Sequence, residues 1–544
     1  MNLINNSDIW LQEVPRHPFE TAKTWKIAAS AGCGKTFTIE RSISDLLAQG
    51  VDPEKIMYVL FNKIPAAQFR AKFPKLSDEN KKWWGTHHSI CKRLNPSVGL
   101  MTPKQWDEFS TLYGYRFKVD DDSEELDGDQ LFMLYEKAVF NGTRDSLDPK
   151  TKLFSERLLG FQLLNQVTDF TSLIGDSMER DLFPDNIEYV FLDEAQDNGF
   201  IQHEYWRRVI QTKDLKGFML VGDDKQAING FKGGNAEGFL SFECEKQVSL
   251  PKSFRCSRKI LETANHVIKP VKNRSPLIED SEVITEGSVR FEPHLQHITL
   301  EIEQDVKAGK STILLARTGQ MVYRAQGILA RCGIPFQNAH IENVRRVYQA
   351  FDNISRTGFI SDADYAIIDP MKDSDEKGGL KRRCAYYSEE WKRGRKQQNK
   401  DRMKITKTQL SILEDYEKHN EEPVPLFEAH RLGLTDMFIA DVTAGKPNID
   451  LFRGGKDIPI LVDNWIDKLG PNFRGVQAAT IHKMKGSEAD TVILVSDISG
   501  WLSNKELDQE EDERRTWYVA LTRAKTKLII TRVARENTTR FLRF

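Results

Sequence analysis

AASAGCGKTFTIE (28–40) is the stretch on which the reading of this chain turns. It closes on Gly34-Lys35-Thr36, the end of a G-x-x-x-x-G-K-[ST] loop, with Ala29 where that pattern opens on glycine. The apolar run WKIAA (25–29) leads into it as a strand, and a helix is expected from about Lys35. In that setting successive backbone N–H groups and a helix N-terminus face a phosphate. Gly32 and Gly34 leave the backbone bare for close approach. Lys35 would reach the β and γ phosphates, and Thr36 would offer its hydroxyl to Mg²⁺. Ala29, Ser30, Ala31, Gly32, Cys33, Gly34, Lys35 and Thr36 are thus the candidate cradle. A glycine-bearing turn before a helix reads the same way, and the loop alone leaves both open.

A second stretch, EYVFLDEAQD (188–197), delivers two carboxylates at the end of an apolar strand. A Mg²⁺–nucleotide site needs such a pair: Asp193 to hold the metal and Glu194 to act as general base on the attacking water. A third, VGDDKQAINGFKGG (221–234), follows another apolar run, and its Gln226 is placed to sense a γ-phosphate.

The 544 residues call for several domains or subdomains, and 39% hydrophobic with 29% charged residues is the composition of a folded globular chain. The formal charge of −2 decides nothing about polyanion binding, which depends on local patches. No apolar run reaches the length of a membrane span, and MNLINNSDIW lacks the basic and apolar regions of a secretory signal. The six cysteines (33, 91, 244, 256, 332 and 384) contain no C-x-x-C pair, which argues for a reducing compartment. The expected location is intracellular, with no membrane partner and no secretion. IMYVLF (56–61), EYVFLD (188–193), FMLVGD (218–223), STILLA (311–316), TVILV (491–495) and KLIIT (527–531) join WKIAA as buried strands of parallel sheets. Amphipathic stretches between them make the class α/β. Residues 88–180 and 345–470 break this rhythm and read as mainly helical insertions, the first with an acidic loop (118–130) and the second with a basic tract (377–404). The tract is either a phosphate-binding surface or a solvated helix face; the loop reads as solvated.

Further stretches complete an ordered set: VLFNKIPAAQFRAKF (59–73), GTHHSIC (85–91), LPKSFRCSRKIL (250–261), ATIHKMKGSEADTVIL (479–494) and DERRTWYVALTRAKTKLII (512–530). Together they resemble the motif series of the UvrD/Rep family of superfamily 1 helicases. FNK, DEAQD and SFR are nearest the branch that includes the F-box DNA helicases, without an F-box here. The resemblance spans residues 28 to about 530 but not the two insertions, and the family's usual A-G-A-G-x-G-K-T accounts for Ala29. It implies two RecA-like P-loop domains with parallel sheets sandwiching ATP. The first domain would comprise 1–87 and 181–256, interrupted by 88–180; the second, 257–344 and 471–544, interrupted by 345–470. By the same resemblance Lys35, Asp193, Glu194, Gln226, Arg255 and Arg523 form the hydrolytic centre with ATP and Mg²⁺, both arginines reaching the γ-phosphate from the facing side. Phe254 would stack on adenine, and Glu488 would lie near the ribose. Phe37 stands where relatives often carry an arginine against the other face of the base. Gln12 has roughly the spacing of the glutamine that reads the adenine edge.

Single-strand contacts implied by the resemblance are Phe61, Asn62, Lys63, Thr86, His87, Phe231, Lys232, Thr480 and His482, with His88 left open. The implied function is an ATP-dependent DNA helicase or single-strand translocase moving 3′ to 5′ on single strands and single/double-strand junctions. A motor subunit needing a replication, repair or nuclease partner is the alternative, and an ATP-gated DNA clamp is another. After LTRAK only a short tail remains, so the β-hairpin pin of relatives is expected to be truncated or absent, which favours translocation over unwinding.

Overall fold

The computed structural model describes residues 13–60, 63–117, 127–230, 233–278, 280–334, 336–337, 350–361, 424–427, 436–444, 475–500, 502–503, 509–534 and 537–542. Gln12, the basic tract, most of the acidic loop and most of 345–470 lie outside the described residues.

The first half is laid on β1 (Thr24–Ala28), α1 (Lys35–Ala48), β2 (Ile56–Leu60), α2 (Lys63–Ala71), β3 (Trp84–Thr86) and α3 (His87–Leu94). The helices α4 (Pro103–Tyr113), α5 (Asp127–Asn141), α6 (Pro149–Asn165) and α7 (Phe170–Glu179) follow. The chain then returns through β4 (Tyr189–Leu192), α8 (Phe200–Thr212), β5 (Gly217–Gly222) and β6 (Lys246–Ser249). The sheet runs β3-β2-β4-β5-β1-β6, and every neighbouring pair is parallel. β2 and β5 are buried at every position, as strands covered on both faces must be. Successive residues serve opposite faces: Tyr58 and Leu60 join one core cluster, Met57 and Val59 the other.

Helices α4–α7 form a layer between β3 and β4 in the chain, with a core of their own around Phe109, Tyr135, Phe154 and Leu158. Their starts are locally written. Thr102 and Gln105 close a reciprocal cap ahead of Pro103, and Asp148 and Asp169 accept the first amides of α6 and α7.

The second half carries α9 (Arg258–Ile268), β7 (Ser288–Glu292), α10 (Thr299–Lys307), β8 (Thr312–Ala316), α11 (Gly319–Arg331) and β9 (Phe336–Gln337). It ends with β10 (Val476–Thr480), β11 (Ala489–Val495), α12 (Glu510–Leu521) and β12 (Ala524–Thr531). These strands form a second wholly parallel sheet, β7-β12-β11-β8-β10-β9. One apolar cluster runs from Ile27 and Val221 of the first sheet through Ile260 of α9 and Trp517 of α12 to Leu528 of the second. No helix among the described residues is long and apolar enough to cross a membrane.

His203 of α8 is fully buried against Phe242, with neither ring nitrogen hydrogen-bonded. Burial, helped by the Arg207 charge, lowers its pKa to about 3. The unfolded chain therefore takes a proton below about pH 6.5 that the folded chain refuses, and stability falls as pH drops from there towards 3. His203→Leu is expected to flatten that decline by up to ~1.4 kcal/mol per pH unit while changing little near neutral pH. Parallel melting curves for the two proteins across this range would refute the assignment.

Candidate nucleotide site and nucleic-acid groove

The parallel register brings the carboxyl ends of β1, β4 and β5 level, with Ala28 opposite Gly222 and Leu192 opposite Leu220. Loops leaving those ends converge, as ligand-binding loops of open parallel sheets do. The first runs from Ala29, whose N–H donates to Gly222 O at 2.9 Å, to Gly34, which precedes α1 in the left-handed region (φ 83°). Gly32 also has positive φ (75°), and a Cβ there would meet Arg255 Cβ at 2.3 Å. That bare backbone lets the 250–256 segment close over the loop: Phe254 N–H donates to Gly32 O at 2.9 Å and Ser253 Oγ to Ala31 O at 3.1 Å. Lys35 Nζ lies along the loop, 3.1 Å from Ala29 O, while Thr36 beside it is exposed. Cys33 is buried beneath the loop. Phe37 and Phe254, 64% and 66% exposed, leave two large phenyl rings in solvent beside it.

Asp193 leaves β4 with its amide on Val59 O (2.8 Å). Its carboxylate accepts from Tyr58 Oη (3.0 Å) and from the Glu194 amide (2.9 Å). Burial and the neighbouring Glu194 charge raise its pKa to about 6, against the opposing pull of Lys35 and Tyr58. Burial acts upward on Glu194 too, but Lys35, Lys485, Gln196 and Arg523 outweigh it and hold that carboxyl at about 2. A proton shared by the pair therefore resides on Asp193. Glu194 sits in the left-handed region (φ 52°), a strained conformation for a residue with a side chain.

The second sheet supplies the other wall. Arg523, 1% exposed, precedes β12 and donates to Gln226 Oε1 at 2.7 Å, to Val519 O at 2.9 Å and to Ser487 O at 3.2 Å. Burial and the nearby Arg255 lower its pKa to about 10. Gln226 passes the contact on to Asp223 Oδ2 at 2.5 Å. Arg255 is ion-paired with Glu488 at 2.6 Å, and Lys525 binds the other Glu488 oxygen at 2.8 Å. Lys35, Asp193, Glu194, Gln226, Arg255 and Arg523 are thus brought into one polar cluster, which Glu488 borders through Arg255.

Three residues with no assigned role in the sequence reading complete it. Gln196, fully buried, donates to Glu194 Oε2 (2.5 Å) and accepts the Asp223 amide (2.8 Å), bridging the ends of β4 and β5. Asp197 takes Lys485 Nζ on both oxygens at 2.6 Å, with Asn229 Nδ2 at 3.0 Å. The only signal for them was their place inside DEAQD and MKG.

A groove of about 1340 Å³ opens beside β3, lined by residues of α2, α3, α4, α5 and the start of α7. Thr86 lines it and caps α3 through the Ser89 amide (3.2 Å). The expected nucleic-acid contact at His87 is corrected by its position. The ring is buried, accepts Trp206 Nε1 at 3.3 Å, and burial lowers its pKa to about 3. His88 is the histidine that lines the groove. Thr480 closes β10 and His482 lies in the turn after it, neither in the groove wall. Lys63 is the first residue of α2. Its side chain, and Phe61, Asn62, Phe231 and Lys232, fall outside the described residues.

Gly32→Ala is expected to push Arg255 and Phe254 off the loop, since both positive φ and the 2.3 Å approach forbid a methyl group. Its strain of ~1–3 kcal/mol should appear in the melting temperature and in a loss of nucleotide affinity. A substitution neutral in both would show that the loop adopts another backbone in solution.

Two family models match this chain. The UvrD/REP helicase N-terminal domain covers residues 12–97 and 104–247, and the UvrD-like helicase C-terminal domain covers 456–535. Among curated proteins, the ATP-dependent DNA helicase PcrA of Staphylococcus epidermidis is 25% identical over 284 residues, 46% of this chain and 38% of the relative. PcrA of Staphylococcus aureus is 24% identical over the same shares. The aligned region therefore spans well under half the length of these relatives. With both family domains matched in order on two parallel α/β sheets, the chain belongs to the UvrD/Rep helicase family.

Proposed function

We propose that this chain is an ATP-hydrolysing DNA motor, a helicase or single-strand translocase moving 3′ to 5′, in which two RecA-like domains close on Mg²⁺–ATP. The observation that carries the reading is the Arg523–Gln226 contact beside Glu194, which joins residues from both sheets where a γ-phosphate would lie. A phosphoryl group spreads negative charge over its oxygens in the transition state, and planar arginine donors stabilise it. Lys35 and the loop amides bind the phosphates, Glu194 orients and deprotonates the attacking water, and Arg255 and Arg523 answer the developing charge. Phe254 and Phe37 offer faces to the base. When the γ-phosphate leaves, the anion drawing the second sheet's arginines to the first sheet's loop is gone, and the cleft opens. On this reading 88–180 and 345–470 are insertions flanking the nucleic-acid path.

The donor chemistry fits magnesium, with the Asp193 carboxylate and the Thr36 hydroxyl as hard oxygen ligands and the nucleotide supplying the rest. When bound, the ion would neutralise charge on the β and γ phosphates.

ATP hydrolysis with and without single-stranded DNA tests the reading. Single strands are expected to stimulate turnover strongly, and Glu194→Gln to lower kcat by ~10²–10⁴-fold. Slow turnover that DNA leaves unchanged would sink the proposal for the chain alone and point to a missing partner subunit.

The pH dependence is a second test. Metal–nucleotide binding needs ionised Asp193, so affinity should fall as pH drops through about 6. Tyr58→Phe deletes a hydrogen bond that favours the carboxylate, raises that pKa and moves the midpoint to higher pH. Fluorescent-ATP titrations of the two proteins read this directly, because the nucleotide's own titration is common to both. Coincident midpoints would remove Asp193 from the metal site.

A further inference from the structure

Glu488 immediately precedes β11 and Lys525 is the second residue of β12, and the parallel register sets Ala489 against Ala524 beside them. Strand pairing thus holds the Lys525 ammonium 2.8 Å from Glu488 Oε1, a contact made wholly within the second sheet. The other oxygen, Oε2, accepts from Arg255 Nε at 2.6 Å. Arg255 belongs to the 250–256 segment that closes over the Gly32 loop, and its Cβ rests against that bare backbone. Glu488 grips it by Nε alone. Nη1 and Nη2, the fork that meets a phosphate with two parallel bonds, have no hydrogen-bond partner among the described residues. Arg255 also lies near enough to Arg523 for its charge, after burial, to help lower the Arg523 pKa. A guanidinium on a flexible stem is driven away from such a neighbour unless an opposite charge holds it. Glu488 supplies that charge. Burial acts upward on its carboxyl, but Lys525 and Arg255 outweigh it and keep it below the usual carboxylate range.

We propose that Glu488, fixed by Lys525, is a positioning residue for Arg255: the pair braces the guanidinium beside Arg523 and leaves its fork free for the γ-phosphate. Glu488 then acts on hydrolysis through Arg255 instead of on the ribose, the role that the family resemblance implies for it. The proposal rests on the ATP-hydrolysis reading above and deepens it at the arginine. A donor held in place before the reaction costs no reorganisation when charge develops on the transferred phosphoryl group, so its brace is felt in the transition state. A ribose contact is made equally in ground state and transition state, and it distinguishes sugars. The two roles therefore separate in kinetics.

Steady-state hydrolysis of ATP and of 2′-deoxy-ATP at saturating single-stranded DNA tests this. Glu488→Gln is expected to lower kcat roughly tenfold for both nucleotides and to leave KM little changed. That is the low end for a lost hydrogen bond between charged groups, because the Glu488 side chain is 40% exposed. Lys525→Met should lower kcat by about two- to fivefold, the range for a partly exposed ion pair, and Lys525→Arg should restore it. In an Arg255→Ala background Glu488→Gln should cost nothing further, since its effect passes through the arginine. A rise in KM that is larger for ATP than for the deoxynucleotide overturns the proposal in favour of a ribose contact, and so do losses that multiply in the double variant. The preference for ATP over ADP, read with fluorescent analogues, needs no turnover. Arg255→Ala should reduce it, and a Glu488→Gln protein that keeps the full preference overturns the brace. Thermal melting of each variant separates misfolding from lost positioning, and Lys525→Met, at a partly exposed position, decides the matter should Glu488→Gln melt early. A wild-type chain that binds nucleotide but turns it over slowly whether or not DNA is present overturns the motor reading for the chain alone, and the ATP-over-ADP preference still judges the brace. A chain that binds no nucleotide overturns both.

Discussion

The buried hydrogen bond from Arg523 to Gln226 is the contact on which the arrangement depends. A guanidinium almost wholly out of water is costly unless its donors are met, and here, besides the adjacent Thr522 hydroxyl, three oxygens from three different places meet them. Two of them, the Val519 and Ser487 carbonyls, belong to the second half of the chain; the third is a side-chain amide of the first. Separating the sheets would strand a buried donor on one side and an acceptor on the other. The same logic governs Lys485 and Asp197, whose bidentate pairing at 2.6 Å spans the halves a few residues away.

Those two cross-sheet contacts set the electrostatics of the first sheet. Glu194 stays ionised despite its burial because Lys35 sits on its own side and Lys485 and Arg523 face it from the other. Asp193, more deeply buried, opposed by Glu194 and answered by Lys35 and Tyr58, is pushed the opposite way. Adjacent carboxylates thus take different protonation behaviour from different surroundings, the condition for one to serve a metal and the other a water. The pair requires both sheets: with the second sheet withdrawn, Glu194 would lose two of the charges that hold its proton off.

The seven strands visible as apolar runs all exist, within a few residues of their expected bounds. They are the central strands, buried along most of their length, where a buried run of four residues survives even in the two that also carry lysine. Those that escaped notice are mostly short, at sheet edges, or mixed in polarity: KQVS at β6, SVRFE at β7, VQAAT at β10. An edge or half-exposed strand tolerates lysine, arginine and glutamine, so its sequence carries no continuous signal. The polar cluster was legible for a related reason. Its residues leave the ends of those same buried strands, or lie in motifs whose order marks the family. Gln196, Asp197 and Lys485 act by bridging elements far apart in the chain, and no local pattern announces a bridge.

The misplaced histidine shows how a motif can be right in location and wrong in direction. GTHHS lies where β3 gives way to α3, and the helix starts at His87, so from there the spacing of side chains follows a period of 3.6. On that period His87 belongs with Ile90, Cys91 and Leu94, one apolar stripe facing Trp206 and the sheet. His88 belongs with Lys92 and falls beside Ser89 and Arg93, the polar face that walls the groove. The apolar stripe must be buried, and burying it turns the neighbouring histidine outward without further instruction. Reading the helix as a surface rather than a string therefore assigns His88 to the groove, and Arg93 with it, from residues 87–94 alone.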